Sequence, residues 1–169
     1  NVSHSGQLAL IALGRTPLGV DLEHLDRPLD WRELAPACCH PDELPALRQL
    51  PDREGHRRFL QLWTLREAYV KGTGEGLSQP PADLRLEYGE AAWRVAGEAG
   101  WRLHALTLPG GYVGSLATTV ARPIVQLQTL AACSNATVHP HDRTGLSGQG
   151  HSHCDCQYHK NNGVLISAR

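Results

Sequence analysis

The spacing of apolar positions changes character along this chain. Gln7 to Leu13 is short and nearly continuously apolar, the pattern of a strand buried on both faces. Gly14-Arg15-Thr16-Pro17 then turns the chain into Leu18 to Glu23, where Leu18, Val20 and Leu22 alternate with Gly19, Asp21 and Glu23. These two runs are expected to pair as an antiparallel hairpin. Asp30, ahead of Trp31-Arg32-Glu33-Leu34, is a candidate N-cap for a short helix, and Pro41-Asp42-Glu43-Leu44 opens another. The main helix follows, about twenty residues long, with Asp52 as its expected cap and Gly72 as its stop.

After the glycines at 72, 74 and 76 and the break at Pro80-Pro81, the pattern becomes that of short strands. Leu84 to Tyr88 and Ala91 to Val95 flank a Gly89-Glu90 turn, and Trp101 to Leu108 and Tyr112 to Val120 flank Pro109-Gly110-Gly111. Both pairs predict hairpins. Strands, then helices, then antiparallel strands predict an α+β fold. The expected boundaries are a folded domain over residues 1–127 and a tail over 128–169, rich in Ser, Gly and His and for the most part expected to be disordered.

The most informative feature is the pair Asp21 and Glu23. In a strand, residues two apart share a face, so the apolar positions can line a core while both acids project together. Like charges side by side favour a cation between them, and oxygen ligands without a nearby His or Cys favour Mg²⁺ over zinc. On the main helix, Glu67 and Lys71 are four apart and share a face, adding a third carboxylate beside an ammonium. Acids for a metal next to a cation for a phosphate make a phosphoryl-transfer layout. Taken singly, each piece has a plainer reading: a solvated strand face for Asp21 and Glu23, an ordinary helix-surface pair for Glu67 and Lys71, an exposed turn residue for His4. Trp63 is expected in the core, and the adjacent Cys38 and Cys39 are expected to be inert packing residues.

Composition narrows the function classes. The 169 residues suffice to bury a core, and a formal net charge of -1 gives no electrostatic case for nucleic acid or an anionic membrane as main partner. Lys71 and Lys160 are the only lysines among 16 basic residues, which makes Lys71 conspicuous. No run approaches the roughly 20 apolar residues of a membrane span. Five cysteines without a regular framework argue against a disulfide-stapled secreted domain, so a soluble cytoplasmic protein is expected. Met is absent and the chain opens inside apparent structure, so it is expected to be a piece of something longer. His151-Ser152-His153-Cys154-Asp155-Cys156 offers soft or borderline metal ligands, and Asn135-Ala136-Thr137 is expected to be a chance sequon.

Three segments carry a family resemblance when taken together. Asn1-Val2-Ser3-His4-Ser5-Gly6, Gly19-Val20-Asp21-Leu22-Glu23 and Trp63-Thr64-Leu65-Arg66-Glu67-Ala68-Tyr69-Val70-Lys71 resemble, in order and spacing, motifs of the Sfp-type 4′-phosphopantetheinyl transferases. Gly72 to Ser78 is similar to the Gly-rich stretch that follows the last motif. The resemblance runs from Asn1 to about Val120 and implies the C-terminal half of a two-lobed transferase with coenzyme A in the cleft between lobes. It implies transfer of the phosphopantetheine arm of coenzyme A to a serine of an acyl or peptidyl carrier protein, releasing adenosine 3′,5′-bisphosphate. By the same resemblance, Asp21, Glu23 and Glu67 hold Mg²⁺, Glu67 also serves as base, Lys71 pairs with a phosphate, and Ser3 and His4 contact coenzyme A phosphates. Arg66 stands where the family usually has Lys and is expected to grip phosphate with a different reach. Glu43 resembles the family's helix-start acid. The alternatives are a compact trimeric holo-carrier-protein synthase, a non-catalytic remnant that binds coenzyme A or a carrier protein, and a metal-binding role for the His/Cys tail.

Overall fold

The computed structural model describes residues 1–74, 76, 80–89, 92–130 and 162–168. In chain order these form β1 (Val2–Ser5), β2 (Leu8–Gly14), β3 (Leu18–His24), α1 (Trp31–Cys38), a 3-10 turn (Pro41–Glu43), α2 (Leu44–Arg48) and α3 (Asp52–Thr73). A second 3-10 turn (Pro81–Asp83) leads to β4 (Leu86–Gly89), β5 (Ala92–Val95), β6 (Arg102–Leu106), β7 (Tyr112–Thr118), β8 (Val125–Leu130) and β9 (Asn162–Ala168). The class is α+β, with two sheets and one long helix. One sheet runs β1-β2-β9-β8 and the other β3-β7-β6-β5-β4.

The two downstream hairpins form as expected: β4 pairs with β5 and β6 with β7, both antiparallel. The upstream hairpin does not. β2 pairs antiparallel with β1 and parallel with β9, while β3 pairs antiparallel with β7, Asp21 opposite Ser115 and Glu23 opposite Val113. The physical reason is that β3 has something to bury on both faces. Its Val20 and Leu22 pack face to face on Leu8, Leu10 and Ala12 of β2, with Leu116 and Ile166 completing that cluster. Edge-to-edge pairing with β2 would leave that apolar face uncovered. β2 itself is fully buried on this face and half-buried on the other.

On the other face of the second sheet lies α3, packed across β3 and β7. Phe59, Leu62, Leu65, Ala68 and Tyr69 join Trp31, Ala35 and Cys38 of α1 and Leu103, Val113 and Ala117 of the sheet in a larger core. The helix begins one residue earlier than expected, at Asp52 with Pro51 at N-cap, and ends at Gly74 in the left-handed conformation (φ 75°) rather than at Gly72. Asp30 caps α1 as expected, its side chain accepting from the N–H groups of Arg32 and Glu33.

The span expected as a tail differs in two places. Gln128 to Leu130 belong to β8, and Asn162–Ala168 form β9, inserted between β2 and β8. The reason is burial: Ile166 is fully buried against β2, a gain that composition alone hid behind the surrounding Ser, Gly and His. Residues 131–161, including the His/Cys tract and the sequon, lie outside the described residues, as does most of the Gly-Leu-Ser stretch. Among the described residues no helix is long and apolar enough to cross a membrane.

Candidate active site

A cleft of about 420 Å³ opens where β1, β3 and α3 meet, lined by Ser3, His4, Asp21, Glu23, Arg27, Trp63, Glu67 and Lys71 among others. Six of the residues expected at a site therefore line it: Ser3, His4, Asp21, Glu23, Glu67 and Lys71. Strand alternation explains half of this. With Val20 and Leu22 turned into the inter-sheet core, Asp21 and Glu23 face α3 and are buried, not solvated. Helical spacing explains the other half, because Trp63, Glu67 and Lys71 fall on one stripe of α3.

Two contacts fix the height of α3 over the strand. Gly19 has no side chain to hold the helix off, and a Cβ there would overlap the Ala68 carbonyl oxygen. Further along, Gln61 Nε2 donates to Ser115 Oγ at 3.0 Å and the Thr64 hydroxyl lies 2.9 Å from the same oxygen, pegging the helix to β7.

Within the cleft, Lys71 Nζ lies 2.6 Å from Asp21 Oδ1 and also donates to Ser3 Oγ at 3.3 Å. The Ser3 hydroxyl donates to Asp21 Oδ1 at 2.8 Å. Ser5 does the same for Glu23 Oε2 at 2.8 Å, while Arg27 Nη1 pairs with Glu23 Oε1. Asp21 Oδ2 is buried without a hydrogen-bond partner. Glu67 is pushed above the usual carboxylate range, chiefly by burial and then by the charge of Asp21, with Lys71 opposing and Glu23 adding a smaller push. Three carboxylates thus face two cations, Lys71 and Arg27, so with all ionised the cleft carries one uncompensated negative charge.

This donor set fits a hard cation. All candidate ligands are carboxylate oxygens, one of them is a buried orphan, and the third acid is raised chiefly by burial and further by the charge of Asp21. Among the described residues no three His, Cys, Asp or Glu side chains already close on one point as a metal cage. Lys71 and Arg27 hold Asp21 and Glu23 instead.

Arg66 is elsewhere. Its guanidinium is 1% exposed and spends its donors on Glu43 Oε2 (2.6 Å), Leu84 O (2.9 Å), Pro81 O (3.0 Å) and Leu62 O (3.2 Å). It is a tie between α3, the Glu43 turn and the Pro81 turn, and does not line the cleft. Glu43 is its counter-ion and also accepts from the His40 N–H. Sequence spacing could not separate Arg66 from Glu67, since neighbours on a helix differ by 100° in direction and either could have faced the strand.

Two cleft residues were missed. Arg27 lies four residues past Glu23, beyond the end of β3 in an irregular segment where strand periodicity gives no direction. Trp63 was expected in the core but is only partly buried, lining both this cleft and an adjoining apolar groove of about 640 Å³ with Ala37, Cys38, Val70 and Pro81. Cys38 and Cys39 behave as expected of packing residues: both are buried free thiols, and burial pushes Cys39 up to about 12.

Comparison with known proteins gives a consistent set of relatives. The family model described as the 4′-phosphopantetheinyl transferase superfamily matches residues 17–114. The 4′-phosphopantetheinyl transferase HetI of Nostoc sp. is 42% identical over 80 residues, covering 47% of this chain and 34% of that protein. The 4′-phosphopantetheinyl transferase Sfp of Bacillus subtilis is 32% identical over 80 residues, covering 47% of this chain and 35% of that one. The chain thus matches about a third of the length of these curated relatives. Among solved structures, the holo-[acyl-carrier-protein] synthase of Thermotoga maritima is 16% identical, with a TM-score of 0.48 over 67% of this chain and 68% of that one.

Proposed function

The chain belongs to the 4′-phosphopantetheinyl transferase superfamily, and from that premise we propose that it supplies the catalytic acids of a Mg²⁺-dependent transferase. Its substrates are coenzyme A and a serine of an acyl or peptidyl carrier protein, and its products are the arm-bearing carrier and adenosine 3′,5′-bisphosphate. The observation that carries this reading is the convergence of Asp21, Glu23, Glu67 and Lys71 on one cleft with Asp21 Oδ2 buried and unpartnered.

In this reading Asp21, Glu23 and Glu67 would hold the cation. Bound there, Mg²⁺ supplies positive charge to the phosphate oxygens as the P–O bond breaks. A Glu67 carboxylate oxygen takes the proton from the carrier serine as its oxygen bonds to the phosphorus, and the bisphosphate leaves. Glu67 lines the cleft beside Asp21 and Lys71, where the carrier serine would enter. Lys71 adds an ammonium beside the phosphates, and the exposed His4 offers an imidazole at the cleft mouth for a further phosphate. Trp63 and Val70 give the uncharged arm an apolar wall. The rest of a two-lobed transferase, with coenzyme A between the lobes, belongs to the same proposal, as do a transferase domain that includes β8 and β9 beyond the expected residues 1–127, and a cytoplasmic setting, in keeping with the free thiols of Cys38 and Cys39.

The test is mass-shift labelling of an apo carrier protein by the full-length protein with coenzyme A, with and without Mg²⁺. The expected result is a carrier heavier by one phosphopantetheine, lost on removing Mg²⁺ and in Glu67→Ala. No added arm with the wild-type protein, or the same yield from Glu67→Ala, overturns the reading.

A further inference from the structure

Among the described residues β3 has β7 on one edge and no strand on the other, yet three N–H groups along that second edge find partners. Val20 N–H donates to Asn1 Oδ1 (3.1 Å), Leu22 N–H to Ser3 Oγ (3.4 Å) and His24 N–H to Ser5 Oγ (3.0 Å). Side chains two apart along Asn1, Ser3 and Ser5 thus stand in for a backbone ladder at these three positions. The substitution has a chemical by-product. A hydroxyl has one proton to donate, and a lone pair engaged by a backbone N–H turns that proton elsewhere. At Ser3 it goes to Asp21 Oδ1 and at Ser5 to Glu23 Oε2, both at 2.8 Å. Each serine therefore grips one N–H of β3 and the carboxylate of the residue just before it, and the same pair of bonds occurs twice.

We propose that Ser5 is a positioning residue for Glu23, fixing one carboxylate oxygen so that the other is presented to the cleft before any cation arrives. A free Glu side chain loses rotamer entropy on ligating a metal, and a hydrogen bond that has already restricted it lowers that loss. Outer partners of ligating groups typically alter metal affinity about 10–100-fold when removed. Arg27 holds the presented oxygen, Glu23 Oε1, and is half exposed, so it can give way where the part-buried Ser5 contact stays. The inference rests on Glu23 being a cation ligand, as proposed above.

The experiment is calorimetric titration of the full chain with Mg²⁺, and with Mn²⁺ as a second probe, on wild type, Ser5→Ala, Ser5→Thr, Glu23→Ala and Glu23→Ala/Ser5→Ala, with thermal melts recorded in parallel. Ser5→Ala is expected to weaken Mg²⁺ by about tenfold or more, Ser5→Thr to restore most of the affinity, and Ser5→Ala to add nothing once Glu23 is gone. Wild-type affinity in a folded Ser5→Ala, or an equal loss with and without Glu23, overturns the role of Ser5 alone. Absence of Mg²⁺ binding by the wild type overturns the metal reading of the cleft, and this inference with it.

Discussion

Gly19 of β3 and Gly72 of α3 meet backbone to backbone: a Cβ on Gly19 would stand 2.8 Å from Gly72 Cα and closer still to its nitrogen. That approach brings the acid-bearing strand and the Glu67/Lys71 stripe to one depth. Replacing Gly19 by Ala cannot be relieved by a rotamer change, because the obstructing atoms are main chain. Gly19→Ala is expected to destabilise the fold by about 1–3 kcal/mol, as overpacking typically does, and to weaken the Lys71–Asp21 pairing. Gly72→Ala meets chiefly the Trp101 ring, with the Gly19 nitrogen 3.1 Å away, and is expected to cost less, because its nearest main-chain contact is longer. Urea unfolding of the two variants side by side checks the order.

Glu67 offers a pH test. Its folded-state carboxyl titrates above its unfolded value, so between the two values the folded protein holds more protons and stability falls as pH rises through that window. Below the unfolded value, both states are protonated and the penalty is absent. Glu67→Gln is therefore expected to flatten this decline and to raise the melting temperature at neutral pH without Mg²⁺, while abolishing arm transfer. A melting temperature that drops in Glu67→Gln at pH 7 contradicts the electrostatic account.

Arg66 separates a structural from a phosphate-binding role. Arg66→Lys keeps the charge but cannot serve Glu43, Pro81, Leu62 and Leu84 together. A loss of about 1–3 kcal/mol in stability is expected from the buried groups left without partners. Coenzyme A affinity, measured by calorimetry well below the melting temperature, is expected to stay unchanged. A coenzyme A affinity that falls with no change in stability would place Arg66 in the cleft after all.

Arg27 pairs with the Glu23 oxygen that the proposed cation would need. Partly exposed ion pairs contribute about 0–1 kcal/mol. Arg27→Ala is accordingly expected to tighten Mg²⁺ by up to about fivefold, read from the Mg²⁺ dependence of labelling or from direct titration. Weaker Mg²⁺ binding in this variant would make Arg27 a supporting residue rather than a competitor.

The pattern of residues sufficed for the acids because strand and helix periods are local. Period two turned Asp21 and Glu23 away from Val20 and Leu22, and a spacing of four put Glu67 and Lys71 on one stripe, whatever the partners of either element. The family motifs added Ser3 and His4, and the structure brings both to the same cleft. Periodicity failed wherever the answer depended on a distant partner. Gln7 to Leu13 and Leu18 to Glu23 look like a hairpin because they are adjacent, but hydrogen bonding between them would have left one face of β3 uncovered.

The sequence by itself determined the α+β class, the long helix, the two downstream hairpins and the shared faces of Asp21 with Glu23 and of Glu67 with Lys71, all properties of short segments. Tertiary structure alone decided that Arg66 turns inward to Glu43 while its neighbour Glu67 turns to the acids, and that Arg27 joins the cleft. It alone decided that Asn1, Ser3 and Ser5 satisfy an open strand edge. The reason is common to these cases: a buried charge or backbone donor takes whichever partner the packing brings within about 3 Å, and packing is set by contacts far apart in the chain.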